Sequence, residues 1–105
     1  MRMKAAYICS PYSGDTKRNK QYARRVTLRA IQDGYAPITP HLYITECLDD
    51  YDAAQRKIGL EIALELLKKC DAIYIGKQYG ISDGMQKEMW LAELLGLEIR
   101  RVDGE

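Results

Sequence analysis

The sequence predicts an α/β protein: a three-layer, flavodoxin-like or Rossmann-like sandwich with a four-stranded parallel sheet in the order 2-1-3-4. Three observations carry that prediction. Short apolar runs alternate with long segments of helical period, and strands separated by helices imply a parallel sheet covered on both faces. Glycine or proline punctuates the junctions, at Pro11, Gly34, Pro40, Gly76 and Gly96. Right-handed crossovers then leave few strand orders, and 2-1-3-4 is the one expected. A chain of 105 residues suffices for one compact domain, here spanning 1–105.

Each element follows from its residues. Residues 4–9 are short and apolar and end at Ser-Pro, a break signal, so they form the first strand. Asp15 or Thr16 starts a helix that runs to about Asp33 and is closed by Gly34. Tyr22, Val26 and Ala30 make its apolar stripe, with Ala23 and Ile31 near the edge. Residues 35–39 form the second strand, stopped by Pro40. A long connection over 40–50 follows, and loops of that length in small domains are often functional. The second long helix covers 52–69, with Ile58, Ile62, Leu66 and Leu67 lining one side. Residues 71–75 are the third strand, leaving through Gly76. A helix over 82–95 and a strand over 97–102 complete the order, and the last residues are expected to fray.

Composition narrows the function classes. Lys and Arg together number 16 and Asp and Glu 15, so no net basic field favours a polyanion, and no nucleic-acid polymer is expected as a partner. Arg24, Arg25 and Arg29 cluster on the first helix, where a solvated face is the expected reading. The 3 cysteines form no C-x-x-C pair, and one histidine is too few for most zinc patterns. Reduced, buried thiols in a cytoplasmic protein are the plain reading. Cys9 has no arginine at a phosphatase-loop distance. No apolar stretch is long enough to span a bilayer, and no signal-peptide run opens the chain. Neither a metal nor a cofactor is implied.

In a sheet of this order, ligands bind beyond the carboxyl ends of strands 1 and 3, where the connections diverge. Those ends carry Ser10-Pro11-Tyr12-Ser13-Gly14 and Gly80-Ile81-Ser82-Asp83-Gly84. The first segment lacks G-x-G-x-x-G and the P-loop Lys-Ser/Thr. It is either a plain strand-to-helix turn or a floor for sugar and phosphate, with Tyr12 stacking on a ring. Ser82 is a good N-cap, and Gly84 allows a ligand close to the backbone. His41, in the loop after strand 2, either contacts a ligand or caps its loop. Asp71 opens the third strand, far from the pocket, and a structural role is expected. Arg56 either reaches an anion or pairs with Asp52, and the pair is expected.

Glu88 is the outstanding residue. At about 100° per residue, Met85, Met89, Leu91, Ala92 and Leu95 fall on one arc, and Glu88 lies inside it. A glutamate on a buried stripe must be paired, protonated or exposed to a cavity. Beside a Ser-Asp-Gly helix start that suits an anionic ligand, such a carboxylate is what a glycosyl-transfer nucleophile requires. Asp83 is either a general acid, a holder of a hydroxyl, or a residue favoured by the helix dipole. Trp90 and Leu94 fall on the opposite arc, which suggests a subunit contact, or else packing against the chain's own C-terminal segment.

These residues resemble the nucleoside 2-deoxyribosyltransferase-like superfamily, and within it a small branch found in bacteria and phages. The shared pattern is Tyr7-Ile8-Cys9-Ser10-Pro11-Tyr12-Ser13-Gly14-Asp15, with Asn19 soon after. It continues through Pro40-His41-Leu42, Leu48-Asp49-Asp50, Arg56-Lys57-Ile58-Gly59-Leu60, Lys69-Cys70-Asp71 and Ile81-Ser82-Asp83-Gly84-Met85 to Glu88. Ser82, Gly84 and Glu88 match the Ser-x-Gly-x-x-x-Glu run of 2′-deoxynucleoside 5′-phosphate N-hydrolases. The resemblance implies that Glu88 attacks C1′ of a deoxyribonucleotide or deoxyribonucleoside, by double displacement. It implies that Tyr7 orients the carboxylate. It also implies that Ser10, Pro11, Tyr12, Gly14, His41, Ser82, Gly84 and Met85 hold the substrate, and that Asp83 assists. A homodimer through Trp90 and Leu94 fits relatives that complete the site from a neighbouring subunit. Transferases carry a further C-terminal segment, so hydrolysis is expected over base transfer. The alternative is a non-catalytic nucleotide-binding or protein-interaction module.

Overall fold

The computed structural model describes residues 2–102. In chain order the elements are β1 (Ala5–Cys9), α1 (Thr16–Gln32), β2 (Ala36–Ile38), a 3-10 turn (Pro40–Leu42), α2 (Ile44–Cys47), α3 (Ala53–Lys68), β3 (Ala72–Ile75), α4 (Asp83–Leu95) and β4 (Glu98–Arg101). The strands are all parallel in the order β2-β1-β3-β4, the order the sequence predicts. The chain end expected to fray lies outside the described residues.

Residue alternation along the two central strands builds two cores. Ala6 and Ile8 of β1 and Ala72 and Tyr74 of β3 pack under α1, against Tyr22, Val26 and Ala30. Tyr7 and Cys9, with Ile73 and Ile75, face the other way, toward Ala63 and Leu67 of α3 and Met85 and Ala92 of α4. Period-two strands buried on both faces explain the near-continuous apolar runs. Register is fixed by this packing: Tyr7 stands opposite Ile38 on one side and Ile73 on the other.

Caps set the helix limits. Asp15 accepts from the Arg18 backbone N–H at 3.1 Å, and Asp52 from that of Ala54 at 3.0 Å. Gly34 at φ 92° and Gly96 at φ 71° follow the ends of α1 and α4 in the left-handed region that glycine enters freely. Asp71 plays the structural role expected of it. Its carboxylate accepts from the Ala5 N–H at 2.8 Å and pins the start of β1, rather than capping a helix.

Several expectations need correction. On α3 the residues turned to the sheet are Ala63 and Leu67, while Ile58 and Ile62 are exposed. Leu66 and Leu67 pack on the core as expected, and it is the small Ala63, rather than the isoleucines, that completes this face. Leu95 and Ile31, in the last turns of α4 and α1, are exposed. Cys9 and Cys70 are buried as expected, but Cys47 is exposed on α2. The connection over 40–50 is not plain loop but holds two short helical turns. Trp90 and Leu94 are each 63% exposed, so no described segment of the chain packs over them.

Candidate active site

The carboxyl ends of β1 and β3 open onto a cavity of about 460 Å³, a volume typical of small-molecule sites. The strand order places it at the crevice where the connections from β1 and β3 diverge. Four segments wall it: the turn after β1, the 3-10 turn with α2, the start of α3, and the start of α4.

The turn after β1 is held from below by Asn19. Its Nδ2 donates to the carbonyls of Tyr12 and Ser13, both at 3.0 Å. Asn19 is buried on α1, and Arg18 donates to its Oδ1 at 3.2 and 3.3 Å. Buried polar groups that are left unbonded cost free energy, so this cluster fixes the turn. Tyr12 reaches the cavity with its ring 5.3 Å from that of His41 and tilted by 31°.

His41 sits 2.7 Å from the Ser10 carbonyl through Nε2. A carbonyl only accepts, so Nε2 carries the hydrogen and Nδ1 is left as an acceptor. Burial pushes the imidazole pKa down, which favours this neutral form. Nδ1 is buried with no hydrogen-bond partner, and so is the Ser10 hydroxyl.

At the start of α4, Ser82 Oγ accepts from the Met85 N–H at 3.2 Å, while the Ser82 N–H points to the Met85 sulfur at 3.5 Å. One turn on lies Glu88, only 4% exposed. The Tyr7 hydroxyl donates to its Oε2 at 2.7 Å. Burial pushes the Glu88 carboxyl up to about 7, against hydrogen bonds from Tyr7 and Cys9 that pull it down. The Tyr7 phenol is raised in turn, first by burial and then by the adjacent carboxylate. Near neutral pH the buried carboxyl is therefore divided between its protonated and ionised forms.

Glu88, Asp83, Ser82, Gly84, Met85, Tyr12 and His41 meet on this one cavity. Tyr7 touches it through Glu88. Ser10 and Pro11 are buried behind the wall, and Gly14 is exposed at a turn with φ 96°, so these three do not line it. Arg56 and Lys87 line the cavity, and their side chains make no hydrogen bond or ion pair with another described residue. The expected Arg56–Asp52 pair does not form, because Asp52 caps α3 and accepts from Gln55 Nε2 at 3.1 Å. Arg56 lies seven residues before Ala63, two turns back on the same helix face. Reading the α3 stripe through Ala63 and Leu67 would have pointed it at the pocket. Lys87, next to Glu88, carries no such signal. Among the described residues no group of three or more metal-ligating side chains is gathered, and no helix is long and apolar enough to cross a membrane.

The solved structures that share this fold include two 2-deoxyribosyltransferases. One is the 2-deoxyribosyltransferase of the psychrotolerant bacterium Bacillus psychrosaccharolyticus, a biocatalyst for nucleoside synthesis, at 17% identity and TM-score 0.70. It matches 92% of this chain and 70% of its own. The other is a 2-deoxyribosyltransferase from Leishmania mexicana, at 19% identity and TM-score 0.66, matching 93% of this chain. The match spans 63% of that protein, less than two thirds of its length. At these identities the likeness is one of fold. Comparison with curated proteins finds no match. The 2-deoxyribosyltransferase fold expected from the sequence is thus present, and a family model extends over all nine elements. That model, described as Domain of unknown function (DUF7768), matches residues 4–102, and the chain belongs to this family.

Proposed function

We propose that the protein cleaves the N-glycosidic bond of a 2′-deoxynucleoside 5′-monophosphate, with Glu88 as the nucleophile. The observation that carries this reading is a buried glutamate, bonded to Tyr7 and with its pKa near 7, in the wall of a cavity large enough for a nucleotide. A Glu88 oxygen attacks C1′ as the C1′–N bond breaks and its electron pair leaves with the base. The base takes a proton from Asp83 or from water. A glycosyl ester on Glu88 remains, and water adds at C1′ as the C1′–O bond to Glu88 breaks, losing a proton to Asp83 or to solvent, which releases the sugar phosphate and restores the carboxylate. Tyr7 holds the carboxylate in position throughout.

Arg56 and Lys87 support a phosphorylated substrate over a free nucleoside. Both line the cavity without an ion pair, and hydrogen bonds to charged groups contribute about 1.5–3 kcal/mol each. The active unit in this reading is a homodimer joined through Trp90 and Leu94. Hydrolysis is preferred to transfer of the sugar to a second base.

A second reading has one observation in its favour. Asp83 is exposed and has no hydrogen-bond partner among the described residues, so no acid is fixed in place for the leaving base. That suits a module that binds a nucleotide without turning it over. Incubation with the four deoxynucleoside monophosphates separates the two. The enzyme reading expects free base, its loss by orders of magnitude in Glu88→Ala, and a KM raised about tenfold or more in Arg56→Ala. A rise in melting temperature with nucleotide, without release of base, would instead support the binding module.

A further inference from the structure

The segment between α2 and α3 carries the carboxylates Asp49, Asp50 and Asp52, and the outer two have structural roles. Asp49 accepts from the Tyr51 N–H at 2.9 Å, and Asp52 accepts from the Ala54 N–H at 3.0 Å, where it caps α3. Asp50 does neither. We propose that Asp50 reads the base of the substrate, selecting bases that carry an amino group (cytosine, adenine or guanine) over thymine and uracil. The inference rests on the reading of the cavity as a nucleotide site.

Position is the first support. Asp50 is half-buried and lines the cavity, whereas Asp49 and Asp52 are exposed and do not. Its one hydrogen bond among the described residues comes from the Ser13 hydroxyl at 3.4 Å, longer than the usual length of about 2.8 Å. A partly desolvated carboxylate with so little donation costs free energy until donors arrive, and a ligand in the cavity supplies them. The neighbours of Asp50 suit a planar ligand. Ser13 directly follows Tyr12 in the turn that Asn19 clamps, and the Tyr12 ring lies 5.3 Å from that of His41. The charge of Asp50 is felt at His41, where it works against burial, the larger influence on that imidazole. A base laid on the Tyr12 ring turns its edge toward Asp50.

The chemistry of the edge then decides. An ionised carboxylate only accepts hydrogen bonds. Cytosine and adenine each offer an exocyclic amine, and guanine offers an amine beside a ring N–H, which matches the two carboxylate oxygens. Thymine and uracil flank their single ring N–H with carbonyl oxygens, and these repel the carboxylate. Such a base leaves a charged acceptor unpaired, which is the condition for strong discrimination.

The test is the ratio of dissociation constants for dUMP and dCMP, pyrimidine nucleotides of nearly equal size that differ at the exocyclic group. It is read by titration calorimetry in Glu88→Gln, where nucleotide is not consumed, and in Glu88→Gln combined with Asp50→Asn. Tighter binding of dCMP by about tenfold to a hundredfold is expected in the first. Asp50→Asn exchanges an acceptor for a donor and is expected to bring the ratio close to one. Equal binding of dCMP and dUMP in Glu88→Gln overturns the proposal, and so does a preference that survives Asp50→Asn. Should the combined variant not fold, the ratio in Glu88→Gln decides alone. Base release by the wild type is followed separately. A preference that depends on Asp50 in a protein releasing no base keeps Asp50 as the reader while the glycosidase reading fails. Base release without the preference does the reverse, and a protein that binds neither nucleotide overturns both.

Discussion

Burying Glu88 has a measurable cost whose sign is fixed by its pKa. The carboxyl rises from its ordinary 4.5 to about 7 in the folded protein. Between those values the native state binds more protons than the unfolded chain, so stability falls as pH rises through this window and levels off above it. The full penalty is about 3 kcal/mol. Glutamine keeps the size of the side chain and an acceptor for Tyr7 but carries no charge. The stability gain of Glu88→Gln over wild type is therefore expected to grow by about 3 kcal/mol between pH 4 and pH 8, as read from urea unfolding. A difference that stays constant over that range contradicts the burial account. Glu88 was legible in the sequence because a helical period exposes any charged residue that falls on an apolar arc. Ser82, Gly84 and Met85 were legible with it, as the cap and first turn of the same helix. Arg56 was not, because Ile58 and Ile62, expected on the inner stripe of its helix with Leu66 and Leu67, are exposed and turn the reading away from the pocket.

At the scale of elements, the chain leaving β3 passes close against α1 at Gly76. A Cβ there would lie 2.7 Å from the Tyr22 hydroxyl oxygen and 2.8 Å from Val26 Cγ2. Tyr22 also accepts from the Gln78 N–H at 3.1 Å, which ties the segment after β3 to α1. Gly76→Ala is expected to destabilise the protein by about 1–3 kcal/mol through overpacking, seen as a lower urea midpoint at unchanged slope. An unaltered midpoint would mean that the α1 face is looser than described. Every strand and long helix was predicted from the sequence, with ends displaced by no more than one residue, since caps and strand fraying are local matters. What the sequence hid was rotation. On α1 the stripe of Tyr22, Val26 and Ala30 was plain because arginines and lysines fill the opposite face. On α3, apolar residues extend well around the helix, and small Gly59 and Ala63 take the inner side. The register of that helix depends on how closely it can approach the sheet, and only tertiary packing decides this. The two short helical turns in 40–50 escaped notice for a related reason. Four residues or fewer carry too little periodicity to be read.

For the whole molecule, sheet order determines where chemistry can happen. With β1 and β3 side by side and their connections leaving toward opposite faces, the crevice lies above the two central strands, in which every residue but Ala5 is buried. Strand order and crossover hand were enough to place that crevice before any side chain was considered. The outer face of α4 raises the matter of assembly. Trp90 and Leu94 stand out from the helix that carries Glu88, so a contact there would couple association to the site. A dimer is expected in analytical ultracentrifugation, converted to monomer by Trp90→Glu, and a monomer at all concentrations would contradict it. The central claim is that Glu88 forms a covalent bond to the sugar. The most direct measurement is mass spectrometry of protein quenched in acid during turnover of a deoxynucleoside monophosphate, followed by peptide mapping. The account predicts a deoxyribosyl-phosphate adduct on the peptide containing Glu88 and its absence in Glu88→Gln. Release of base with no adduct on that peptide, or with an adduct elsewhere, would contradict it.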